Sequence, residues 1–307
     1  MSATPQTLAA SSMRSRANEY YELCKPRVVM LIVFTAVVGM FLAVPGLPPL
    51  DALLWGTFGI GLQAASAAAV NQIIDRNIDR RMARTCGRPL VTGALGMTES
   101  IAFATLLGLA GFAVLWFLVN PLTAWLTQFT LIGYAGIYTL YLKRATPQNI
   151  VIGGAAGAAP PVLGWVAVTG EVHGHALILF LIIFIWTPPH FWALAIERCE
   201  EYAKADIPML PVTHGIEFTK TQVLLYTVLL VAVTILPYAT GMSGLLHLVG
   251  ALLLGGQFLA YAWRLKYRPV PGLPMKTFGY SIVYLMALFT ALLVDHYLGA
   301  MLELLGG

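Results

Sequence analysis

Nine apolar runs, each long enough to cross a bilayer as a helix, constrain this chain more than any other feature. A helix needs about 20 apolar residues to cross the hydrocarbon core. The runs occupy residues 28–44, 52–74, 100–119, 121–142, 150–168, 176–196, 221–240, 245–263 and 277–298. Only Asn120 and Pro121 divide the third run from the fourth, so we expect a tight hairpin there. Only 10% of residues are charged, against roughly 25% in soluble domains. The sequence therefore predicts an all-α, polytopic membrane helical bundle with nine transmembrane helices.

The 18 Lys and Arg residues give these spans an orientation. They lie before the first span and after the second, fourth, sixth and eighth, and the other flanks hold none. Cytoplasmic loops concentrate Lys and Arg, so we expect the N-terminus inside and the C-terminus outside. Orientation accounts for the net charge of +4 and leaves no reason to expect a nucleic-acid partner. The polar residues 1–24 are expected to form a disordered cytoplasmic tail, and residues 25–307 a single transmembrane domain.

Proline pairs interrupt two of the predicted spans. Pro160–Pro161 follows a G-x-x-x-G step, Gly153 to Gly157, that lets another helix approach closely. Pro188–Pro189 lies in the sixth span. Proline frees backbone carbonyls, which are tolerated in lipid only where protein or a cavity covers them. Two broken helices therefore suggest a central cavity, with ordinary helix packing as the alternative.

A row of polar residues ends the second span. Asn71, Asp75 and Asp79 are spaced by four, so they lie on one stripe of a helix. Like charges on one face repel, and a cation between them removes that cost. Oxygen ligands suit Mg²⁺, which commonly bridges a carboxylate to a substrate phosphate. The alternative is a solvated helix end, with the acids paired to Arg76 and Arg80.

Basic side chains near this row could bind the phosphates. Guanidinium groups bind phosphate through paired hydrogen bonds, and lysine adds a point charge. The candidates are Arg84, Arg88, Lys143 and Arg144. For any one of them taken alone, the orientation rule is a sufficient explanation.

A second acidic cluster, Glu197, Glu200 and Glu201, follows the sixth span. Glu197 and Glu201 are expected to share a helix face with His190, which lies about 10 Å deeper. A histidine in the hydrocarbon region indicates a functional site. Its alternative role is a hydrogen bond to a carbonyl freed by Pro188 or Pro189.

Aromatic side chains are expected near the same end of the bundle, where their π faces could stabilise a carbocation. They are Tyr134, Tyr138, Tyr141, Trp165, Trp186, Phe191 and Trp192. The aromatic belt at a membrane interface is the alternative explanation for each.

The segment N-Q-I-I-D-R-N-I-D-R-R-M-A-R-T-C-G-R-P-L, residues 71–90, resembles the first signature of the UbiA-type intramembrane prenyltransferases. Residues 138–165 and W-T-P-P-H-F-W, residues 186–192, resemble the branch of that superfamily that farnesylates haem. The sequence departs from the family at Glu200–Glu201–Tyr202, where D-Y or D-D-Y is usual, and at Asp206, where glycine is common. The longer glutamate arm would move a second metal.

The resemblance implies a reaction and a site. Farnesyl diphosphate would alkylate a vinyl group of haem B, giving a hydroxyethylfarnesyl haem (haem O), with Mg²⁺ as the cofactor. The implied metal ligands are Asn71, Asp75, Asp79, Glu197 and Glu201. Lys143 and Tyr138 would join the first three in catalysis, and Arg84, Arg88, Arg144, His190, Trp186, Trp192, Glu197 and Glu201 would bind the substrates.

The resemblance also implies a setting. It places the protein in a bacterial inner membrane among membrane lipids, with its active site facing the cytoplasm. Possible partners are haem A synthase or the assembly of a terminal oxidase. Two other functions stay open: prenylation of an aromatic or quinone precursor, and transport. Transport would place the acids near the midplane between broken helices.

Overall fold

The computed structural model describes residues 16–306, with side chains to residue 298, and these residues form helices without any strand. In chain order the helices are α1 (Arg16–Leu23), α2 (Pro26–Leu42), α3 (Leu50–Asp79), α4 (Pro89–Thr92), α5 (Met97–Leu118), α6 (Pro121–Leu131), a π-helix (Ile132–Leu142), α7 (Lys143–Ala145), α8 (Asn149–Ala158), α9 (Pro160–Thr169), α10 (Gly174–Glu197), α11 (Cys199–Lys204), α12 (Leu210–Thr213), α13 (Ile216–Val233), α14 (Leu236–Ala239), α15 (Leu245–Tyr267) and α16 (Leu273–Gly306).

Seven helical segments of the described chain are long and apolar enough to cross a membrane. They are Leu50–Asp79, Met97–Leu118, Asn149–Thr169, Gly174–Glu197, Ile216–Ala239, Leu245–Tyr267 and Leu273–Leu298. The first predicted span corresponds to the 17-residue α2, which reaches the required length only together with α1, across a bend of 51°. The fourth corresponds to α6 and the π-helix, two segments of 11 residues each. The chain is therefore a multi-pass helical membrane protein.

The prediction of a disordered N-terminal tail is wrong for residues 16–23; residues 1–15 lie outside the described part. Residues 16–23 form α1, which is held in place because Leu23 is fully buried beside Ala69 and Leu90. The side-chain amide of Gln72 also donates to the carbonyl oxygens of Glu22 and Leu23. Burial and hydrogen bonding together fix α1 against α3.

The predicted tight hairpin between the third and fourth spans is confirmed, since α5 ends at Leu118 and α6 begins at Pro121. Asn120 caps α6 by accepting from the backbone N–H of Thr123 at 2.8 Å. Its amide nitrogen donates to the carbonyl oxygen of Val166 at 2.9 Å. One side chain therefore forms the turn and also ties it to α9.

Glycine lets α2 and α9 touch backbone to backbone. A Cβ at Gly39 would lie 2.1 Å from the Pro161 oxygen, and one at Gly164 would lie 1.9 Å from the Ala36 oxygen. The predicted step at Gly153 and Gly157 is used differently. Gly153 faces the ring of Tyr138, whereas Gly157 has open space around it. The close crossing of α2 and α9 therefore depends on glycines that the motif did not include.

The predicted break in the sixth span is wrong, because α10 stays helical through Pro188 and Pro189. It packs against α8, α13 and α16, and its largely buried sides keep it helical where the prolines remove N–H donors. In the fifth span the helix is interrupted only at Ala159, between α8 and α9, and Ala159 keeps helical backbone angles, so Asn149–Thr169 stays one span. Two surface cavities, of about 330 and 370 Å³, lie at the C-terminal end of α10 and between the end of α2 and the α9–α10 turn.

Candidate active site

The polar stripe of α3 is buried. Asn71, Asp75 and Asp79 are only 4%, 2% and 3% exposed, although two of them are acids at the end of a helix. Isolated buried carboxylates are costly and need partners. The predicted alignment is confirmed, and the stripe faces protein rather than solvent.

Each member of the stripe contacts a basic side chain from a different segment. The Lys25 ammonium donates to Asn71 Oδ1. Lys143 Nζ donates to Asp75 Oδ2 at 2.6 Å, and an Arg88 guanidinium nitrogen donates to Asp79 Oδ2 at 2.6 Å. Arg76 instead donates to the carbonyl oxygen of Leu90. Local pairing at a solvated helix end, the alternative interpretation, is therefore wrong.

Lys25 is a site residue that the sequence analysis treated only as an orientation charge. Its backbone has φ 51 and ψ 62, the left-handed region that non-glycine residues rarely adopt. Burial, and then the positive charge of Arg88, lowers the pKa of Lys25 to about 7. Unusual backbone conformations concentrate at functional sites. The only sequence indication was a lysine directly before the proline that opens α2.

The π-helix contributes Thr139, also missed from the sequence. The Asn71 amide nitrogen donates to Thr139 Oγ1 at 3.0 Å and to Asp75 Oδ2 at 3.0 Å. Tyr138 stacks on Tyr134 with ring centroids 5.6 Å apart. π-helical turns are frequent at functional sites. Here the π-helix brings Tyr138, Thr139 and, one residue beyond its end, Lys143 toward the stripe.

The donor set fits a divalent cation. Asp75 Oδ1 is buried and has no hydrogen-bond partner in the described chain, so one carboxylate oxygen is open to a ligand. No three His, Cys, Asp or Glu side chains among the described residues converge closely enough to hold a metal by themselves. Two carboxylates and one amide are an incomplete oxygen shell. That arrangement suits Mg²⁺, which takes its other ligands from water and substrate phosphate.

The remaining basic candidates lie outside this network. Arg84 and Arg144 are exposed, and neither forms a salt bridge with a described residue. They stand at the surface near the exposed ends of α3 and α7, where they can meet a charged headgroup entering from water.

The second acidic cluster is arranged differently. Because α10 ends at Glu197 and α11 begins at Cys199, the expected shared face for Glu197 and Glu201 is wrong. Glu197 is exposed and lines the 330 Å³ cavity beside Lys220. Glu201 accepts from Arg198 at 2.5 Å, and its Oε2 is buried without a partner among the described residues.

The loop after α3 and the loop after α10 touch each other. Arg81 and Asp206 form an exposed salt bridge of 3.1 Å, and Met82 packs in one apolar cluster with Tyr202. Asp206 has φ 55, which explains why glycine is common at this position in the family that the sequence resembles. Asp206 adopts this conformation and links the two loops through its salt bridge to Arg81.

His190 is buried between two rings. It stacks on Trp186 at 4.2 Å and on Phe278 at 4.4 Å between ring centroids. Its Nδ1 lies 2.6 Å from Ser281 Oγ. The alternative role predicted for His190, a hydrogen bond to a carbonyl freed by proline, is wrong, because a serine of α16 is the partner.

The predicted aromatic cluster is only partly assembled. Trp165 stacks on His173 at 5.5 Å in the 370 Å³ cavity, at the end of the bundle away from the stripe. Tyr141 is exposed, and the fully buried Trp192 packs against Tyr226. The prediction that all seven share one half of the bundle is therefore wrong for Trp165.

Relatives and solved structures resemble this chain over most of its length. A Protoheme IX farnesyltransferase of Nitrosococcus oceani is 64% identical over 282 residues, which cover 92% of this chain and 94% of the relative. One of Methylococcus capsulatus is 62% identical over 91% of this chain and 94% of its own length.

Among solved structures, a digeranylgeranylglyceryl phosphate synthase has a TM-score of 0.77 at 20% identity, over 92% of this chain and 99% of its own. A UbiA homologue of Archaeoglobus fulgidus, bound to DMAPP and Mg²⁺, has a TM-score of 0.60 at 16% identity, over 89% of this chain and 99% of its own. At these identities the two structures establish a common fold. Because the model of the UbiA prenyltransferase family also matches residues 32–293, the chain belongs to that family.

Proposed function

We propose that this protein transfers a farnesyl group from farnesyl diphosphate to a vinyl group of haem B (protohaem IX), giving haem O and diphosphate. The observation that supports it most is the buried Asn71–Asp75–Asp79 stripe, with one free carboxylate oxygen and three basic side chains around it. The name that relatives above 60% identity share supports the choice of substrates.

Mg²⁺ fits the stripe, where Asn71, Asp75 and Asp79 would hold it. When bound, it withdraws electrons from the diphosphate oxygens and so makes the diphosphate a better leaving group. Lys25, Lys143 and Arg88 offset the negative charge of the stripe. The two lysines have flexible stems and the Arg88 guanidinium has several N–H donors, so all three side chains can move their hydrogen bonds from the stripe to the phosphates.

The protein's own residues bind and orient the leaving group. Lys25, Lys143 and Arg88 hold the phosphates, and the exposed Arg84 and Arg144 attract them from the aqueous side. As the bond between farnesyl C1 and oxygen breaks, the diphosphate takes the electron pair and C1 becomes an allylic cation. The paired rings of Tyr134 and Tyr138 offer π faces that stabilise such a cation.

The haem vinyl group completes the reaction. Its π electrons form a bond from the terminal vinyl carbon to farnesyl C1, which leaves a cation on the carbon next to the porphyrin ring. Water adds to that carbon and loses a proton to solvent. No oxidant or reductant is needed. A substrate cavity within the bundle would keep water from the first cation.

We assign the haem to the side of α10 that presents His190 and Trp186, with Trp192 packed behind it. Neutral imidazole is a common ligand of haem iron. If His190 contacts the iron, His190→Ala shifts the Soret band of the bound haem and weakens haem binding, with farnesyl diphosphate affinity unchanged. An unshifted band would remove His190 from the haem site.

The second acidic motif contributes through Glu201, whose buried Oε2 is free to approach a second metal or a metal-bound water. Glu197, the other candidate ligand, faces the separate cavity beside Lys220. Its contribution to metal binding is therefore expected to be the weaker of the two.

We also propose the finer membrane arrangement: nine spans around a central cavity, N-terminus inside and C-terminus outside, in a bacterial inner membrane with the stripe facing the cytoplasm. The distribution of the 18 basic residues supports it. A periplasm-active reporter fused after residue 307 should be active, and one active only in the cytoplasm would contradict the odd number of spans.

Haem O leads towards terminal oxidases, so haem A synthase or an oxidase assembly complex is the proposed recipient. Co-purification from mildly solubilised membranes tests it, and consistent absence of both from the purified complex would contradict a stable contact.

The direct test of the activity supplies purified protein with farnesyl diphosphate, Mg²⁺ and either haem B or an aromatic acid. We expect a haem product heavier by one farnesyl and one hydroxyl group, and no product from the aromatic acid. Prenylation of the aromatic acid alone would favour the quinone-precursor alternative. Transport is disfavoured because the acids lie at the helix end rather than between broken helices.

A further inference from the structure

Ser281 of α16 is fully buried and makes three contacts around the His190 ring. The indole nitrogen of Trp186 donates to its carbonyl oxygen at 2.8 Å. Its Oγ lies 2.6 Å from His190 Nδ1 and 2.6 Å from the carbonyl oxygen of Phe278. One residue therefore holds both rings of the stacked Trp186–His190 pair.

These contacts determine where the protons lie. A serine hydroxyl has a single proton to donate. The Phe278 oxygen can only accept, so two oxygens 2.6 Å apart require the Ser281 proton between them. The other short contact then needs its proton from the histidine. We therefore assign the His190 proton to Nδ1, which leaves an unshared electron pair on Nε2.

The ring is held in position as well as in tautomer. Trp186 covers one face and Phe278 the other, so the imidazole cannot rotate without losing a stack. Nε2 has no hydrogen-bond partner among the described side chains, and His190 keeps 7% of its surface exposed. A lone pair on a fixed ring is available to an electrophile such as a metal ion.

We propose that Ser281 is a positioning residue, which holds His190 as the Nδ1-protonated tautomer so that Nε2 can ligate the iron of haem B. The inference rests on the proposed function, since it takes haem B as the substrate beside α10. Hydrogen-bond partners of metal-bound histidines fix the ring and raise its basicity, and their loss typically costs about 10–100-fold in metal affinity or activity.

The experiment compares haem binding and spectra in purified full-length variants. Ser281→Ala should weaken haem B binding about tenfold, shift the Soret band and lower the ferrous iron–histidine stretching frequency. The KM for haem should rise while the KM for farnesyl diphosphate stays unchanged. Ser281→Thr, which keeps the hydroxyl, should restore the spectrum.

Thr277→Val is the matched control. Thr277 is fully buried one turn earlier on α16, and its hydroxyl donates to the Leu273 oxygen without touching His190. Loss of that hydroxyl should leave the haem spectrum unchanged. A purely structural role for Ser281 predicts instead that both variants lower the Tm and that neither shifts the spectrum.

His190→Ala separates the positioning role of Ser281 from the haem contact of His190. A spectrum altered in His190→Ala but not in Ser281→Ala would overturn the role of Ser281 and leave the haem site intact. A spectrum unaltered in both would overturn the haem contact of His190 as well. Altered spectra in both, with Thr277→Val unchanged, are the result that we expect.

Discussion

The C-terminal ends of α3 and α10 lead into similar loops, but the acids at the two ends are placed in opposite ways. Both loops contain a four-residue helix with a proline in its first turn, α4 and α12, followed by a glycine of positive φ, Gly93 or Gly215. Helix α3 continues through both of its acids, Asp75 and Asp79, before the loop begins. Helix α10 ends at Glu197, before Glu201 is reached.

That difference decides which acids are buried together. The continuous α3 places Asp75 and Asp79 on one inward stripe, where Lys143 and Arg88 reach them from other segments. The break at Arg198 turns Glu197 outward and leaves Glu201 with a neighbour only three residues away. The buried acids of α3 pair with basic side chains that are distant in sequence, so the end of α3 is the main ionic centre. The following variants test this difference between the two helix ends.

Asp75→Asn should have the largest effect, because it removes the charge beside the open ligand position. Loss of one preorganised electrostatic group commonly costs about 10²–10³-fold in turnover. Turnover of haem B with saturating farnesyl diphosphate and limiting Mg²⁺ measures it. A folded Asp75→Asn protein with normal turnover would contradict the metal role.

Lys25→Met should come next, because it removes the donor that faces Asn71. Hydrogen bonds to charged groups contribute about 1.5–3 kcal/mol, so the KM for farnesyl diphosphate should rise roughly 10–100-fold. Arg27→Met is the matched control, since Arg27 is exposed two residues away. Equal effects of the two variants would reduce Lys25 to an orientation charge.

Glu201→Gln should have a moderate effect. Partly exposed ion pairs contribute about 0–1 kcal/mol, so we expect up to about a fivefold loss of kcat/KM for farnesyl diphosphate, which rising Mg²⁺ partly restores. A loss as large as that of Asp75→Asn would make the two helix ends equivalent, against the comparison.

Glu197→Gln should have the smallest effect. Exposed substitutions usually change free energies by less than about 0.5 kcal/mol, so turnover should stay within roughly twofold of the parent. If Glu197→Gln and Glu201→Gln lose activity equally, the break at Arg198 does not separate their roles.

The sequence predicted what depends on local periodicity. A spacing of four along α3 was enough to align Asn71, Asp75 and Asp79, and Asn120 with Pro121 was enough to predict the hairpin. It could not predict contacts across the bundle. Lys25 and Thr139 reach Asn71 from segments 46 and 68 residues away, and nothing in their local sequence encodes those distances.

The same limit explains the errors. Proline in a helix predicts a break, but α10 stays continuous because it packs against helices that are distant in sequence. A regular spacing of Glu197 and Glu201 predicts a shared face only if the helix continues past Arg198. Ser281, the partner of His190, lies 91 residues further along the chain.

The most direct test of the account is the Mg²⁺ dependence of farnesyl diphosphate binding, measured by isothermal titration into the purified protein. We predict strong binding with Mg²⁺, weak binding with a chelator, and binding to Asp75→Asn in Mg²⁺ that matches the chelated parent. Equal affinity of the parent protein with and without Mg²⁺, or an intact Mg²⁺ effect in folded Asp75→Asn, would contradict a metal-assisted diphosphate site on α3.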